Sequence, residues 1–270
     1  MESIRKKAKE LLEKNAVQVI IGYGEGLDKS VSAIFVRKPE NAETLIFDDR
    51  CVHNLAVYLL KNEIKALGKP CIIAHLAALR TILQLASEHQ ITEDDVLVLG
   101  VTHKGELMEF AGFKDIEKYI ASANIDISEN EKEIINKLEA MTREERWQFW
   151  VEHLSLKCIK CYACRAACPL CYCSRCQVEY NQPQWITVEA TPVGIIEWHI
   201  TRAMHIAGRC VSCGECYRAC PMNIPINLLN YLTVLTIKEK FNVSAGTSAD
   251  LDSVMSSFKS DDKENFIKQS

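Results

Sequence analysis

Through the first hundred residues, short apolar runs alternate with stretches of helical periodicity. Residues 16–21 form an apolar run stopped by Gly22-Tyr23-Gly24-Glu25-Gly26, and residues 31–36 and 44–47 are two more runs bounded by turn formers. Across residues 51–66, Leu55, Tyr58 and Leu59 recur at helical spacing. Pro70 precedes a buried strand over 71–74. A helix with Leu79, Ile82, Leu83 and Ala86 on one face follows over 77–89, and a further buried strand over 96–101. Residues 1–14 carry the charged, amphipathic pattern of a helix. Apolar strands without alternation, separated by helices, predict a mostly parallel sheet covered on both sides, in an α/β layered domain over residues 1–120.

The second half has a different pattern. Residues 121–140 are polar and acidic and read as a connector, the first part of a linker-and-helix segment over 121–156. Thr142-Arg143-Glu144-Glu145 has the form of a capping box, in which each side chain satisfies an orphan amide at a helix start. The helix it opens places Trp147, Trp150, Val151 and Leu154 on one stripe that leads into Cys158. That stripe reads either as a lid over the cysteines or as plain core. A helix over 193–207 has Ile196, Ile200, Ala203 and Ala207 as its apolar face and Gly208 as its stop. Arg202 and His205 lie off that face; solvation is the simpler reading for both, and tuning of a nearby cluster the other. A last helix from Pro225 buries Leu228, Leu229 and Leu232, within a cysteine-bearing module over 157–241. Residues 242–270 are a polar tail that cannot build a core, either mobile or laid along a partner.

Composition narrows the classes. The chain has 270 residues, 48% hydrophobic and 25% charged, as a soluble globular protein does, which excludes wholesale disorder. No stretch reaches the roughly 18 consecutive apolar residues of a membrane helix, and the first residues lack the apolar core of a secretory signal. Direct membrane insertion is therefore not expected, and the expected location is cytoplasmic. A net charge of −4 supplies no basic field for nucleic acid. Cysteine is the outlier, with thirteen residues, of which only Cys51 and Cys71 lie outside the span from Cys158 to Cys220. An odd number without a signal sequence argues against a secreted disulfide scaffold and for metal.

Cys158, Cys161, Cys164 and Cys168, followed by Pro169, are spaced C-x2-C-x2-C-x3-C-P, and Cys210, Cys213, Cys216 and Cys220, followed by Pro221, repeat that spacing. This is the bacterial ferredoxin run, in which three thiolates meet one cubane cluster and the fourth meets the other. The expected ligand sets are Cys158, Cys161, Cys164 and Cys220 for one [4Fe–4S] cluster, and Cys210, Cys213, Cys216 and Cys168 for a second. Zinc also uses C-x2-C pairs, but three thiols in one tight loop and a fourth before proline, twice over, fit it poorly. Two adjacent clusters suit electron transfer better than scaffolding. Cys171, Cys173 and Cys176 remain. They could shield the clusters, replace a ligand, or hold a third metal with Cys51, His53 or Cys71. Gly22, Gly24 and Gly26 read as a plain loop more readily than as a phosphate cradle. His75 and Arg80 lie just beyond the Cys71 strand, where ligands of open sheets bind. No nucleophile elbow, H-E-x-x-H or Walker sequence occurs.

Several segments together resemble the beta-subunit family of deazaflavin-reducing hydrogenases and formate dehydrogenases, and more closely its short formate dehydrogenase variant with a dicluster module. They are VIIGYGEG (19–26), CVHNLAVYL (51–59), CIKCYACRAACPLCYCSRC (158–176), QPQW (182–185) and HIAGRCVSCGECYRACPMNIP (205–225). The resemblance implies an α+β chain, an α/β domain followed by a bacterial-ferredoxin-like dicluster module with extra helices. It also implies an anaerobic electron-transfer subunit within a redox complex that contains a flavoprotein and a dehydrogenase or hydrogenase subunit. The last segment is also similar to the subunits through which electrons enter heterodisulfide reductases. This chain departs from the relatives in carrying its cysteine module second, and in having Ala74-His75-Leu76-Ala77 where many carry Lys-Gly-Cys-Asp. No flavin-contacting residues are carried over. Three functions follow: a relay of single electrons, an FAD-containing subunit that itself oxidises or reduces a nicotinamide or deazaflavin, or an interaction module whose metal serves only folding.

Overall fold

The computed structural model describes residues 1–255 except 103 and 181, and the backbone alone of Gln177. The N-terminal half carries a sheet of strands β1 (Val19–Glu25), β2 (Val31–Val36), β3 (Pro70–Ala74), β4 (Leu97–Val101) and β5 (Leu107–Glu109), in the order β2-β1-β3-β4-β5. The three central strands are parallel, with Val19 opposite Pro70 and Cys71 opposite Leu97, and both edge strands pair antiparallel. Every residue of β3 is buried, which is why its sequence shows no alternation. Helices α1 (Glu2–Glu13), α2 (Asn62–Lys65), α3 (Leu76–Ser87) and α4 (Phe113–Ser122) accompany the sheet. Ile4, Ala8 and Leu11 of α1 and Leu79, Ile82 and Leu83 of α3 join the strands in one core.

The three buried runs are strands as expected, but the glycine segment is not a loop. β1 continues through Gly22 and Gly24. A Cβ on Gly22 would lie 2.4 Å from Leu45 Cδ2, and one on Gly24 would lie 2.6 Å from Ile34 Cγ2. Glycine here permits close packing over a strand, and a buried strand is no cradle for phosphate. Residues 44–47 form no strand: a 3-10 turn, Pro39–Thr44, ends there and Ile46 makes a single bridge to Tyr23. Residues 51–66 are not one helix but a 3-10 turn, Leu55–Tyr58, followed by α2. Asn54 decides this locally. Its Oδ1 accepts from the Ala56 amide at 3.2 Å and its Nδ2 donates to Thr81 Oγ1 at 2.9 Å, a turn that competes with helix.

The C-terminal half is helical: α5 (Glu129–Ala140), α6 (Arg143–Trp150), α7 (Ala163–Ala166), α8 (Pro192–His205), α9 (Glu215–Arg218) and α10 (Ile226–Phe241). The connector read over 121–140 is largely α5. Ser128 and Glu131 cap it reciprocally, and only Ile135 and Leu138 are buried, against Leu228 and Tyr231, which hid it among polar residues. The Thr142–Glu145 capping box opens α6 as expected, and a π turn, Val151–Ser155, extends it. Of the predicted stripe, Leu154 is buried, Trp150 and Val151 half-buried, and Trp147 is 49% exposed. Leu154 and Trp150 pack with Cys164, Trp198 and Cys216, so the lower end of the stripe does cover the cysteines.

The buried face of α8 is wider than the expected one. Ile196, Ala203 and Ala207 are buried as expected and Ile200 is exposed, while Ile195, Trp198, His199 and Arg202 are buried as well, two of them polar side chains that meet the cysteine loops. Gly208, just past the helix, takes the left-handed conformation expected of a stop, with φ +74°. In α10, Leu228 is buried and Leu229 and Leu232 are half-buried.

Several contacts clamp the halves together. Arg209 forks onto Glu88 (Nε to Oε1 2.7 Å, Nη2 to Oε2 2.5 Å), and Tyr172 donates its hydroxyl to Glu88 Oε2 at 2.7 Å. The first part of the polar tail lies on this chain's own N-terminal half rather than on a partner. Arg80 donates to the Ala245 carbonyl at 2.7 Å, and the Gly246 and Ala249 amides donate to Gln84 and Glu117 at 2.9 and 2.8 Å. Residues 256–270 lie outside the described residues.

Two substitutions test this packing. Gly22→Val forces Leu45 and Ile73 aside and is expected to lower stability by about 1–3 kcal/mol, read as a fall in Tm. Glu88→Ala removes the shared acceptor of Arg209 and Tyr172 and is expected to cost about 1–3 kcal/mol, read from a denaturation midpoint, and to speed limited proteolysis between the halves.

Candidate metal centre

The two cysteine runs have one backbone. Lys160 and Tyr162 take positive φ (51° and 60°) in the first, and Ser212 and Gly214 (58° and 75°) at the equivalent places in the second. Three of these four are not glycine, and left-handed conformations at such residues cost energy and cluster at ligand clamps. They bend each loop so that its amides turn inward, as the Lys160 amide does towards Cys158 Sγ at 3.4 Å. The short helices α7 and α9 then carry Cys164 and Cys216 inward, where both are buried.

Cys158, Cys161, Cys164 and Cys220 line one pocket, walled by Tyr162, Trp198, Ile224 and Ile226. Burial raises the Cys164 thiol to about 11, the Arg202 guanidinium opposes this, and Cys158, Cys220 and Cys161 reinforce it. Burial likewise pushes Cys216 well up, with Cys168, Cys210 and Cys213 as its neighbouring thiols. Each group of four therefore takes three members from one run and the last cysteine of the other. Burial carries Cys210 to about 12 and Cys213 to about 11. Such thiols become thiolates at neutral pH only beside a strong cationic partner, which is what a metal supplies. Cys168 goes the other way, held down by the neighbouring Cys171 thiol and by the charge of Arg202. Among the described residues no three His, Cys, Asp or Glu side chains converge tightly enough for one metal ion. An all-thiolate donor set suits iron–sulfur.

The other three cysteines do not gather. Cys171 donates its backbone amide to the Cys168 carbonyl at 3.1 Å, Cys173 is exposed, and Cys176 packs in the cluster of Leu154 and Trp198. Nor do their suggested partners reach them. Cys51 Sγ accepts from the Asp48 amide at 3.3 Å. Cys71 is buried in β3, where desolvation pushes its thiol up. His53 Nδ1 lies 2.6 Å from Glu215 Oε2, beside the second run rather than the first.

Four polar side chains around the sulfurs escaped the reading of the sequence. His199 Nε2 is 3.4 Å from Cys158 Sγ, and burial drives its pKa down to about 3, so the ring is neutral. Asn230 Nδ2 donates to Cys216 Sγ at 3.4 Å. Asn54, from the N-terminal half, stands near Cys213 and opposes the rise of its thiol. Glu215 is buried between His53 and Arg218. Arg202 is not solvated: it is 3% exposed and donates to the Cys164 carbonyl at 3.1 Å. His205 is exposed. His75 and Arg80 are both internal contacts. His75 Nε2 lies 3.2 Å from the His53 carbonyl, and Arg80 donates to the Val211 carbonyl, inside the second run, at 2.9 Å.

Comparison with known proteins agrees with this geometry. A family model described as a 4Fe-4S dicluster domain matches residues 157–225. The chain is 32% identical over 108 residues to the F420-dependent formate dehydrogenase subunit beta of Methanocaldococcus jannaschii. That stretch covers 40% of this chain and 27% of the relative, so the chain spans about a quarter of the relative's length. The segment holding all eight cysteines of the two repeated runs is thereby a 4Fe–4S dicluster domain.

Proposed function

We propose that the chain is an iron–sulfur electron-transfer subunit of an anaerobic oxidoreductase complex. Cys158, Cys161, Cys164 and Cys220 hold one [4Fe–4S] cluster, and Cys168, Cys210, Cys213 and Cys216 the second. The observation that carries this reading is the crossed grouping of the cysteines, which makes two adjacent sites that neither run can complete alone. When bound, the clusters supply one-electron chemistry and no hydride transfer.

The remaining work belongs to the chain. Tyr162, Trp198, Ile224 and Ile226 wall the inner side of the first site, which opens to solvent at Cys161. The left-handed residues hold the loops open toward the sulfurs, and His199 and Asn230 stand at hydrogen-bonding distance from Cys158 and Cys216. Pair reactions, such as oxidation of formate or of a reduced deazaflavin, then fall to other subunits. By analogy with the relative, whose name gives an F420-dependent formate dehydrogenase, one partner is a dehydrogenase subunit; the family resemblance of the sequence adds a flavoprotein or hydrogenase subunit and a cytoplasmic working place. Among the described residues no helix is long and apolar enough to cross a membrane. The glycine segment gives the FAD-containing alternative no phosphate cradle, since Gly22 and Gly24 lie within a packed strand. A third metal on Cys171, Cys173 and Cys176 is not part of this reading.

Anaerobically purified chain is expected to hold about eight irons and about eight acid-labile sulfides. Cys161→Ser and Cys213→Ser are each expected to lose about half of both and to lower Tm, since binding and folding are linked. Replacing Cys171, Cys173 and Cys176 together by Ser should leave the metal content unchanged. Dithionite should reduce the protein to an EPR-active state, with no turnover of formate, hydrogen or NADH by the chain alone. Stoichiometric zinc without sulfide would reject the assignment, and steady NADH oxidation by a chain with a flavin spectrum would favour the FAD alternative.

A further inference from the structure

We propose that His199 and Asn230 set the reduction potentials of the two sites, each by donating one side-chain N–H to a ligand sulfur. His199 Nε2 serves Cys158 at the first site, and Asn230 Nδ2 serves Cys216 at the second. The inference rests on the two-cluster reading above and assigns these two residues their part in it.

Neither residue belongs to a cysteine run. His199 lies on α8, 41 residues from Cys158, with its Nε2 3.4 Å from Cys158 Sγ. Ser155 Oγ donates to the Pro192 carbonyl at 2.9 Å, which fixes the start of α8 against the turn that leads into Cys158. Asn230 lies on α10, with its Nδ2 3.4 Å from Cys216 Sγ. The next residue, Tyr231, donates its hydroxyl to the Ser212 carbonyl at 3.1 Å and so holds α10 in register with the second run.

Both side chains are sealed, at 4% and 2% exposure, yet His199 Nδ1 and Asn230 Oδ1 have no hydrogen-bond partner. A buried polar group with half of its bonding unmet weakens a fold, so packing alone would be better served by leucine at either place. What the two residues do have is the bond to sulfur. A thiolate ligand carries no proton, so the hydrogen in each bond comes from nitrogen. That places the ring proton of His199 on Nε2 and the lone pair on Nδ1, which fits an Nδ1 without an acceptor nearby. It likewise turns the NH2 of Asn230, rather than its oxygen, towards Cys216. The Lys160 amide also points at Cys158 Sγ, at 3.4 Å, but as main chain it remains in every side-chain variant.

Reduction adds one electron to a site and moves no proton, so both N–H groups keep their hydrogens. The sulfurs share the added negative charge, and a hydrogen bond to a charged acceptor is the stronger one. Each bond therefore favours the reduced state and raises the potential of its own site.

The test is an EPR-monitored redox titration of the full chain, anaerobic and loaded with iron, with dithionite as the one-electron source through mediators. Cys161→Ser and Cys213→Ser assign the signals of the first and second sites by removing them. His199→Leu should lower the first-site potential so that the reduced-to-oxidised ratio at a fixed poise falls about tenfold, equivalent to ~59 mV for a one-electron couple. The second site should move less. Asn230→Leu should act the other way round, on the second site. His199→Gln, whose side-chain amide keeps an N–H donor, should retain most of the first-site potential. An unmoved first site in His199→Leu, an unmoved second site in Asn230→Leu, an equal fall in His199→Gln and His199→Leu, or equal shifts of both sites in either leucine variant would each overturn the inference. If a leucine variant does not load about eight irons, the wild type isotopically labelled at histidine or asparagine side-chain nitrogen decides. Hyperfine coupling of that nitrogen to the corresponding reduced site supports the bond, and its absence overturns it. A wild type that never loads two clusters rejects the underlying assignment instead.

Discussion

On the proposed reading eight thiols face two interior points while almost everything around them is apolar, and the chain meets this by crossing. Cys168 then leaves the first run to join the second site, and Cys220, which lines one pocket with Cys158, Cys161 and Cys164, leaves the second run to join the first. Neither loop is complete without the other, so the forty-odd residues between them must fold back. α8 occupies that return path. Its buried face therefore carries His199 and Arg202 among the sulfurs, where an ordinary core helix would carry leucine. A buried guanidinium is tolerable there because negative charge on the sulfurs offsets its desolvation.

The N-terminal half takes part in this arrangement. Arg80 sits in α3, just beyond the end of β3, and ties together the Val211, Ala245 and Ile125 carbonyls. One side chain thus joins the sheet to the second cysteine run, to the segment before α5 and to the tail. Asn54 shapes the turn after residue 51 and ties it to α3 through Thr81. Tyr23, in the middle of β1, donates to the His53 carbonyl at 2.6 Å, and His53 in turn meets Glu215. Strand, turn and cysteine loop are linked in sequence by hydrogen bonds, so displacement of the sheet would be felt at the second site more than at the first.

The sites also differ in their surroundings. The first opens to solvent at Cys161 and is bounded by exposed Ile159 and Met222. The second is enclosed by the N-terminal half. On the proposed reading this difference bears on electron transfer, because solvent, fixed charge and hydrogen bonds set cluster potentials as much as the ligands do.

What could be read from the chain by itself were the features whose causes are local. The cysteine spacing is a loop geometry, the Thr142–Glu145 box is a contact over three residues, and the unalternating runs of β3 and β4 follow from burial on both faces. Features whose partners lie far away were misread. Gly22 and Gly24 looked like a loop because the side chains that crowd them, Leu45, Ile73 and Ile34, come from other segments. Arg202 looked solvated because its partner, the Cys164 carbonyl, is 38 residues away. Arg80 reaches across 131 residues to Val211, and His53 across 162 to Glu215. Spacing along the chain specifies which residues can meet a cluster. Only the tertiary fold decides which buried charges and donors face each of the two sites, because those groups come from elements that no local period connects.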